Sequence, residues 1–528
     1  MIAALVAVLL AAATPVPAAP VAPHVVAVDA AEIPDRVSGR ADDPRCGPAA
    51  PSPVPDGRPI RVVMPPAKAF TVGAIPAAMW RRPPVTDPTW RLTFQGLMWV
   101  RPLARRAALD GQQKSLAALV RQVVLFHRQN PDPGSNGYGW DEGTALRRLE
   151  AENCLFTLTR SAALIPGMTA DVRVLTGPRY YGPPRYAVHN HGLMANLQMI
   201  RAGQIIPRPA WTRIAVDRLL HEAPLGFSRQ GVSLEQSSMY QLTNATLWER
   251  AAGQLGAHPE AQKRIRTTVN RAYLIFSFMT ELDGKISQIG DSDETAGRPR
   301  DLKANRAVRD DQAGWVIGRW GWTDRNAPHY TIRYGPARRA HGHEDRAGGV
   351  TWSTLGVRVL VGPGRFSYDR TVPYALYQTR PDGQNVAVPA GGTARGGTSA
   401  ITSTFEPTRH VFVVKDTVYG KAHTRGVTTN STIGRMVVSD AFTGVNRWRQ
   451  HWHLDPDWVR QPGPALVFKH PSGRRLTVTT TGKVAAVLRG ATSGPYGWHF
   501  PRFQVREPSY QIMIDNLGNW TTTTFRVG

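Results

Sequence analysis

The chain is poor in several of the features that usually give a protein away. Its 528 residues include only two cysteines, Cys46 and Cys154, too few for a disulfide-framed scaffold. One bridge closing a long loop and two unpaired thiols both remain open, because spacing alone does not show whether they meet. There is no C-x-x-C, H-E-x-x-H or P-loop pattern, so the common zinc and nucleotide signatures are missing. Acidic residues are scarce: 39 Asp+Glu stand against 64 Lys+Arg, a formal net charge of +25. Such a field attracts polyanions, whether nucleic acid, anionic membrane or acidic polysaccharide. A general bias toward Arg and Ala would produce the same number. No long run of basic residues occurs, and no C2H2, basic-zipper or RNP-type pattern, which ranks acidic polysaccharide above nucleic acid. No apolar run is long enough to favour a membrane span.

What the chain does have is size, apolar content and order along its length. A hydrophobic fraction of 42% over 528 residues implies a globular protein of two or three domains. Fifteen Trp and fourteen Tyr fit a protein that handles sugars or buries large faces. The opening MIAALVAVLLAAATPVPAA has the apolar run and small-residue zone of a secretory signal covering residues 1–19, with a cut near Ala18 or Ala19. It lacks the usual basic flank. Export of the protein is the expectation. Residues 20–64, rich in Pro and Ala, predict an extended leader or linker.

From 65 to 300 the pattern is helical. Gln113–Gln129 puts Leu116, Leu119, Val120, Val123, Val124 and Phe126 on one stripe. Asp141–Thr159, His191–Arg201, Ala210–His221, Leu234–Leu255 and Gln262–Leu282 predict further helices. Strand-like alternation is scarce, which suggests a helical barrel with a cleft at one end. The polar stretch Gly290–Gln312 predicts a boundary, its Asp291, Asp293 and Glu294 a solvated loop rather than a cation site. Residues 301–528 then switch to short β-type runs such as HYTIRYG, HVFVVKDTVYG and YQIMIDNLG, implying a large antiparallel sandwich. Helices followed by strands make an α+β chain with segregated domains.

Three stretches carry candidate chemistry. In YAVHNHGLMANLQMI (Tyr186–Ile200), His189, Asn190 and His191 stand at a helix mouth, where free N–H groups and partial positive charge suit an anion. In GVSLEQSSMYQLTNATLWE, Tyr240 falls in the first turns of a helix expected to begin near Leu234. In GPARRAHGHEDRAGGV, His341 and His343 alternate and would share one side of a strand. Each has a plain alternative: surface or core histidines, and an ordinary half-buried tyrosine.

Together the three stretches resemble the heparinase II/III-like polysaccharide lyases, of the alginate lyase and heparinase type. The matches are Asn190-His191-Gly192, then Glu235-Gln236-Ser237 leading to Tyr240, then Gly335-Pro336 and His341-Gly342-His343 with Asp345, extended by Val361-Gly362-Pro363-Gly364 and Tyr368. The resemblance implies an incomplete (α/α) toroid followed by an antiparallel β-sandwich, and cleavage of a uronic-acid polysaccharide by β-elimination. It implies that Asn190 neutralises the uronate carboxylate and that Tyr240 is the acid to the leaving oxygen, serving some substrates as base too. His191 would be the alternative base, and His341 would orient the neighbouring sugar or assist Tyr240. A phenol ordinarily titrates near 10, so Tyr240 is expected to need a helix terminus or nearby cations. Candidate substrate-binding residues are His189, Glu235, Arg147, Arg148, Arg339 and Tyr368, with Arg338 a further candidate cation. Relatives with a structural zinc use the second His of the H-x-H pair, an Asp before Pro-Gly and a later His. Here those positions are His343, Gly362 and Gln384, so His343 is a weak ligand candidate and no metal or other cofactor is expected. The expected partner is an acidic polysaccharide, with no nucleic acid and no membrane span.

Other readings share some of these residues. A uronyl C5-epimerase would reprotonate the same intermediate on the opposite face. A glycoside hydrolase would need two carboxylates at a set separation, from Asp141, Glu142 or Glu235. A non-catalytic polyanion-binding protein would need only the charge.

Overall fold

The computed structural model describes residues 46–178, 189–298, 307–431 and 434–528. The chain divides into two compact units, Met1–Pro34 and Asp35–Gly528, and every described residue belongs to the second. The expected signal, and Tyr186–Val188 of the first chemical stretch, lie outside the described residues.

The first half is helical. The helix Gln113–Gln129 forms where the stripe predicts it, and Leu116, Leu119, Val120, Val123 and Phe126 are buried along it. Helices missed in the sequence are the shorter Ala77–Arg81, Pro88–Gln95, Val100–Leu109 and Ile165–Thr176. Pro88–Gln95 has a legible start: Asp87 accepts a hydrogen bond from the Trp90 N–H at 2.8 Å, with proline just inside the helix. The helix Glu142–Thr159 is buried nearly all round, from Glu142 to Phe156. A helix surrounded by others needs no polar face, which is why its apolar stripe is indistinct.

Residues 46–64 do not behave as the extended leader expected of them. Cys46, Val54, Ile60 and Val62 are buried in the same core as the helices, and Arg61–Val62 pairs antiparallel with Phe70–Thr71. Cys46 is bonded to Cys154, with Cα atoms 4.9 Å apart and a sequence separation of 108. Closing so long a loop stabilises the fold by roughly 4–5 kcal/mol in the chain-entropy picture.

The second half is antiparallel sheet. A five-stranded sheet runs in chain order through Ala307–Asp310, Trp315–Arg319, His329–Arg333, Val350–Thr354 and Val357–Leu360. An eight-stranded sheet has the order Val459–Arg460, Leu466–Lys469, Arg475–Thr480, Trp520–Val527, Arg435–Phe442, His423–Asn430, Arg409–Asp416, Ser399–Phe405. A four-stranded sheet consists of Lys483–Arg489, Tyr510–Asp515, Trp448–His453 and Ala387–Pro389. One apolar core draws on all three: Tyr330 and Trp352 from the first, Phe412, Val438 and Phe525 from the second, Trp452 and Ile512 from the third. The chain is therefore α+β with its helices first and its antiparallel sheets after.

The two halves are fastened together. Ile275, Phe278 and Met279, at the end of the helix Pro259–Met279, share a cluster with Trp315 and Ile317. Beside it the buried Arg358 reaches Glu294 at 2.7 Å and Asp455 at 3.4 Å. Loops from both halves are held against each other here, and the candidate residues gather on them. Among the described residues no helix is long and apolar enough to cross a membrane.

Candidate active site

The site is built on two helix starts and two loops. His189 precedes the helix Asn190–Ile205, and its Nδ1 accepts the His191 N–H at 3.2 Å. Glu235 lies at the same helix mouth. Its Oε1 accepts the Asn190 backbone N–H and its Oε2 the Asn190 side-chain N–H, each at 2.8 Å. A carboxylate at a helix N-terminus is favoured by the unpaired N–H groups and the dipole. The second Asn190 amide hydrogen faces His341 Nε2, at 3.2 Å.

The helix bearing Tyr240 begins later than the sequence suggests, at Ser238 rather than near Leu234. Gln236 has a left-handed φ of 61°, which interrupts any helix running through it. Ser237 then caps the new start by accepting the Tyr240 N–H at 3.3 Å. Gln236 is also a clamp: its Oε1 accepts from Arg339 N at 2.7 Å and its Nε2 donates to Ala337 O at 3.0 Å. It thereby holds the loop that carries His341.

That loop is not the strand expected for the H-x-H pair. It connects the strands His329–Arg333 and Val350–Thr354. The two histidines still converge, because both bind Asp291: His341 Nδ1 on Oδ2 at 2.9 Å, His343 Nε2 on Oδ1 at 3.0 Å. Asp291 is only 3% exposed, so the solvated-loop reading of this residue is wrong. Burial opposes its ionisation, but the hydrogen bonds from the two imidazoles outweigh that and hold the carboxyl well below the usual range. Gly290 makes the approach possible: with φ of 61°, a Cβ there would lie 2.5 Å from both Gln236 O and His341 O. The other two acids of this stretch are paired as well, Asp293 with Arg365 at 2.7 Å and Glu294 with Arg358.

The Tyr240 ring stacks on the His341 ring, centroids 3.4 Å apart and planes 8° from parallel. Its hydroxyl lies 3.4 Å from that of Tyr368, which in turn accepts from Arg365 Nη1 at 3.4 Å. The expectation that nearby cations lower the Tyr240 pKa is not met. Burial raises it, the Tyr368 hydroxyl adds to the rise, and Arg365 only partly offsets them. Tyr240 is a protonated phenol at neutral pH. His191 projects into solvent, its side chain 38% exposed, with Nδ1 held 3.2 Å from Glu142 Oε2. Burial, opposed by Glu142, lowers the His189 pKa to about 4, with smaller contributions from His191, His341 and Arg339, so His189 is a neutral acceptor.

Of the residues singled out in the sequence, Asn190, His191, Tyr240, His341, His189, Glu235 and Tyr368 therefore come together. Arg339 sits at the edge, its side chain exposed and its backbone fixed by Gln236. Both oxygens of Glu235 are occupied by Asn190. Arg148 does not belong to the site. It is fully buried among the helices, its guanidinium paired with both oxygens of Asp171 and lying 4.4 Å over the Phe126 ring. Arg147 pairs with Glu150 on its own helix, at 3.3 Å. Arg338 Nε donates to Gly342 O at 2.7 Å, bracing the His341 loop.

Sequence reasoning missed Asp291 and the supporting role of Glu142. Both lie about 50 residues from the histidines they hold, and a lone acid in a polar segment gives no sign of such a partner. The glycine before Asp291 was the one available hint of close packing.

His343 is buried, and its Nδ1 lies 3.4 Å from Gln384 Nε2. A Cβ on Gly362 would come 1.9 Å from Gln288 O, so that position has no room for an acidic side chain as the backbone stands. Elsewhere among the described residues, His127, Glu152 and Asp171 place ligand atoms within 4.8 Å of one another. Arg148 already supplies that group with a cation.

Several solved polysaccharide lyases share this fold. A heparinase III superposes with a TM-score of 0.71 at 14% identity, covering 85% of this chain and 79% of that one. A mutant heparan sulfate lyase from Pedobacter heparinus gives 0.61 at 16% identity, covering 87% and 80%. The Streptomyces coelicolor A3 chondroitin AC lyase, in complex with chondroitin sulphate, gives 0.51 at 13%, covering 84% and 75%. At these identities the likeness is one of fold. No family model matches the sequence, and no curated protein matches it either.

Proposed function

We propose that this protein is a polysaccharide lyase of the heparinase II/III-like type, cleaving a uronic-acid polysaccharide by β-elimination. The observation that carries this reading is the convergence of Asn190, His191, Tyr240 and His341 from distant segments onto one partly open cluster, within a fold shared with heparinase and chondroitin lyases. In this reading the helices form an incomplete (α/α) toroid over residues 65–300 and the sheets a β-sandwich over 301–528. The Cys46–Cys154 bond supports an exported protein, since such bonds persist in oxidising compartments.

One Asn190 N–H stays on Glu235, and a substrate carboxylate takes the other in place of His341. That donor meets negative charge that grows as the C5 proton leaves, so it stabilises the transition state more than the ground state. His191, oriented by Glu142, removes the proton. Tyr240, protonated at neutral pH, gives its proton to the departing glycosidic oxygen. His341 holds the phenol in place through the stack, and Asp291 holds His341. The same groups would suit an epimerase, and the product decides between them. Each acidic polysaccharide of a panel is incubated with the protein and the products are weighed by mass spectrometry. Shortened chains with an unsaturated end, lighter by one water than hydrolysis products, are expected. Hydrolysis products, or full-length chains carrying solvent deuterium at C5, would refute the proposal.

A further inference from the structure

We infer that the outward face of the eight-stranded sheet is a second binding surface for an acidic polysaccharide chain. Five adjacent strands, from Arg475–Thr480 across to Arg409–Asp416, alternate strictly between buried and outward residues over most of their length. Their only two acids, Asp416 and Asp440, are both turned inward, where they bind the buried His423 and Arg425. No outward position on these strands is acidic, and several are cationic.

Arg409 is paired with Glu406 at 2.9 Å, but two other cations are not arranged for stability. Arg435 is directly opposite Arg526 on the neighbouring strand, at a spacing of about 5 Å between strands. Like charges so placed destabilise a sheet. Both residues are exposed, and neither has a hydrogen-bond or ion-pair partner for its guanidinium among the described residues. Arg475, also exposed, stands on the next strand. An anion bridging this row would remove the repulsion.

Beside the row lie hydroxyl-bearing side chains, with Val437 among them. Ser439 and Thr522 join their hydroxyls across two strands at 2.8 Å, and Thr524 continues the line toward Arg526. Hydroxyls and small side chains suit a sugar chain carrying carboxylates or sulfates. Surfaces for single-stranded nucleic acid instead present several aromatic platforms. The choice of a polysaccharide rests on the lyase reading, whereas anion binding at this face does not. Such a surface would hold a long substrate while the cleft works on it, raising affinity through two-point attachment.

The test compares Arg435→Ser/Arg526→Ser with a charge-matched control, Arg121→Ser/Arg266→Ser, which changes exposed helical positions. All are made with Tyr240→Phe so that the polymer is not consumed, and folding is checked by thermal denaturation. Binding of polymeric chondroitin sulfate, its hexasaccharide and a short DNA duplex is measured at two salt concentrations. The sheet variant should bind the polymer about tenfold more weakly, with a shallower salt dependence, and the hexasaccharide unchanged. Polymer affinity within about twofold of the parent, an equal loss in the control, or no polymer binding by the parent would overturn the inference. DNA bound as tightly as the polymer, and lost in parallel, would overturn the assignment to a polysaccharide. A polymer-binding loss in a protein that cleaves nothing would remove the lyase reading and leave the surface standing.

Discussion

Two polar clusters in this protein are made of nearly the same residue types and have opposite characters. At the junction of helices and sheets, Asn190, Glu235, His341 and Asp291 form one chain of hydrogen bonds. Inside the helical region His127, Glu152, Asp171 and Arg148 form another. The first opens to solvent through His341, 19% exposed, and the neighbouring His191, 38% exposed. In the second, His127 is 14% exposed at one end, and Glu152, Asp171 and Arg148 are all at 0%. Burial raises the pKa of Glu152 to about 8, although Arg148 pulls the other way, and the adjacent Asp171 shifts in the same direction. Residue type alone therefore does not make a site. Accessibility, and a donor able to change partners, distinguish the first cluster, where we propose the chemistry, from one that holds helices together.

The contrast can be broken by substitution. Asn190→Ala should lower kcat by about 10²–10³-fold, the usual range for removing a donor aimed at developing charge, while thermal stability changes little. Turnover and melting temperature measured on the same preparation check both halves of that statement. Arg148→Ala should do the reverse. Leaving Asp171 without its guanidinium in a sealed interior should cost about 3–5 kcal/mol in denaturant unfolding, with near-normal kcat in whatever remains folded.

A third test uses pH. Glu152 holds its proton in the folded protein up to about pH 8, whereas unfolded chains release it near 4. The folded state thus binds more protons between these values, so the stability contributed by Glu152 is complete at low pH and is lost as pH rises through about 8. Glu152→Gln should flatten that fall by about 1–3 kcal/mol, read from denaturation midpoints at pH 5 and pH 8.5. The smallest effect is expected for Asp291→Asn. It keeps the shape of the group that orients His341 and His343 but removes the charge, so kcat should drop about tenfold, the pH–rate profile should shift, and the fold should persist.

How much of this was legible in the sequence depends on range. The helix Gln113–Gln129 and the strand Tyr510–Asp515 follow from local periodicity, and the order of helices before sheets follows from many such segments. Asn190, His191, Tyr240 and His341 could be chosen because they stand in recognisable strings. Their support could not. Asp291 sits in a stretch as polar as any solvated loop, and only the fold brings it between two imidazoles. Arg148 misled for the mirror reason: an arginine in a helix near candidate residues suggests substrate, and burial under Phe126 and Trp140 is a tertiary fact. The pairing of Cys46 with Cys154 is not legible, because a sequence separation of 108 carries no information about distance in space. The direction of the Tyr240 shift was missed because desolvation, which dominates it, depends on packing from the far half of the chain.

The most direct test of the central claim is the ultraviolet absorbance of a conjugated unsaturated uronate, followed in time with purified protein and acidic polysaccharides, beside the Tyr240→Phe variant. Absorbance that grows with the native protein on at least one substrate and stays flat with the folded variant is the predicted result. Chain shortening without absorbance, or undiminished absorbance from Tyr240→Phe, would contradict it.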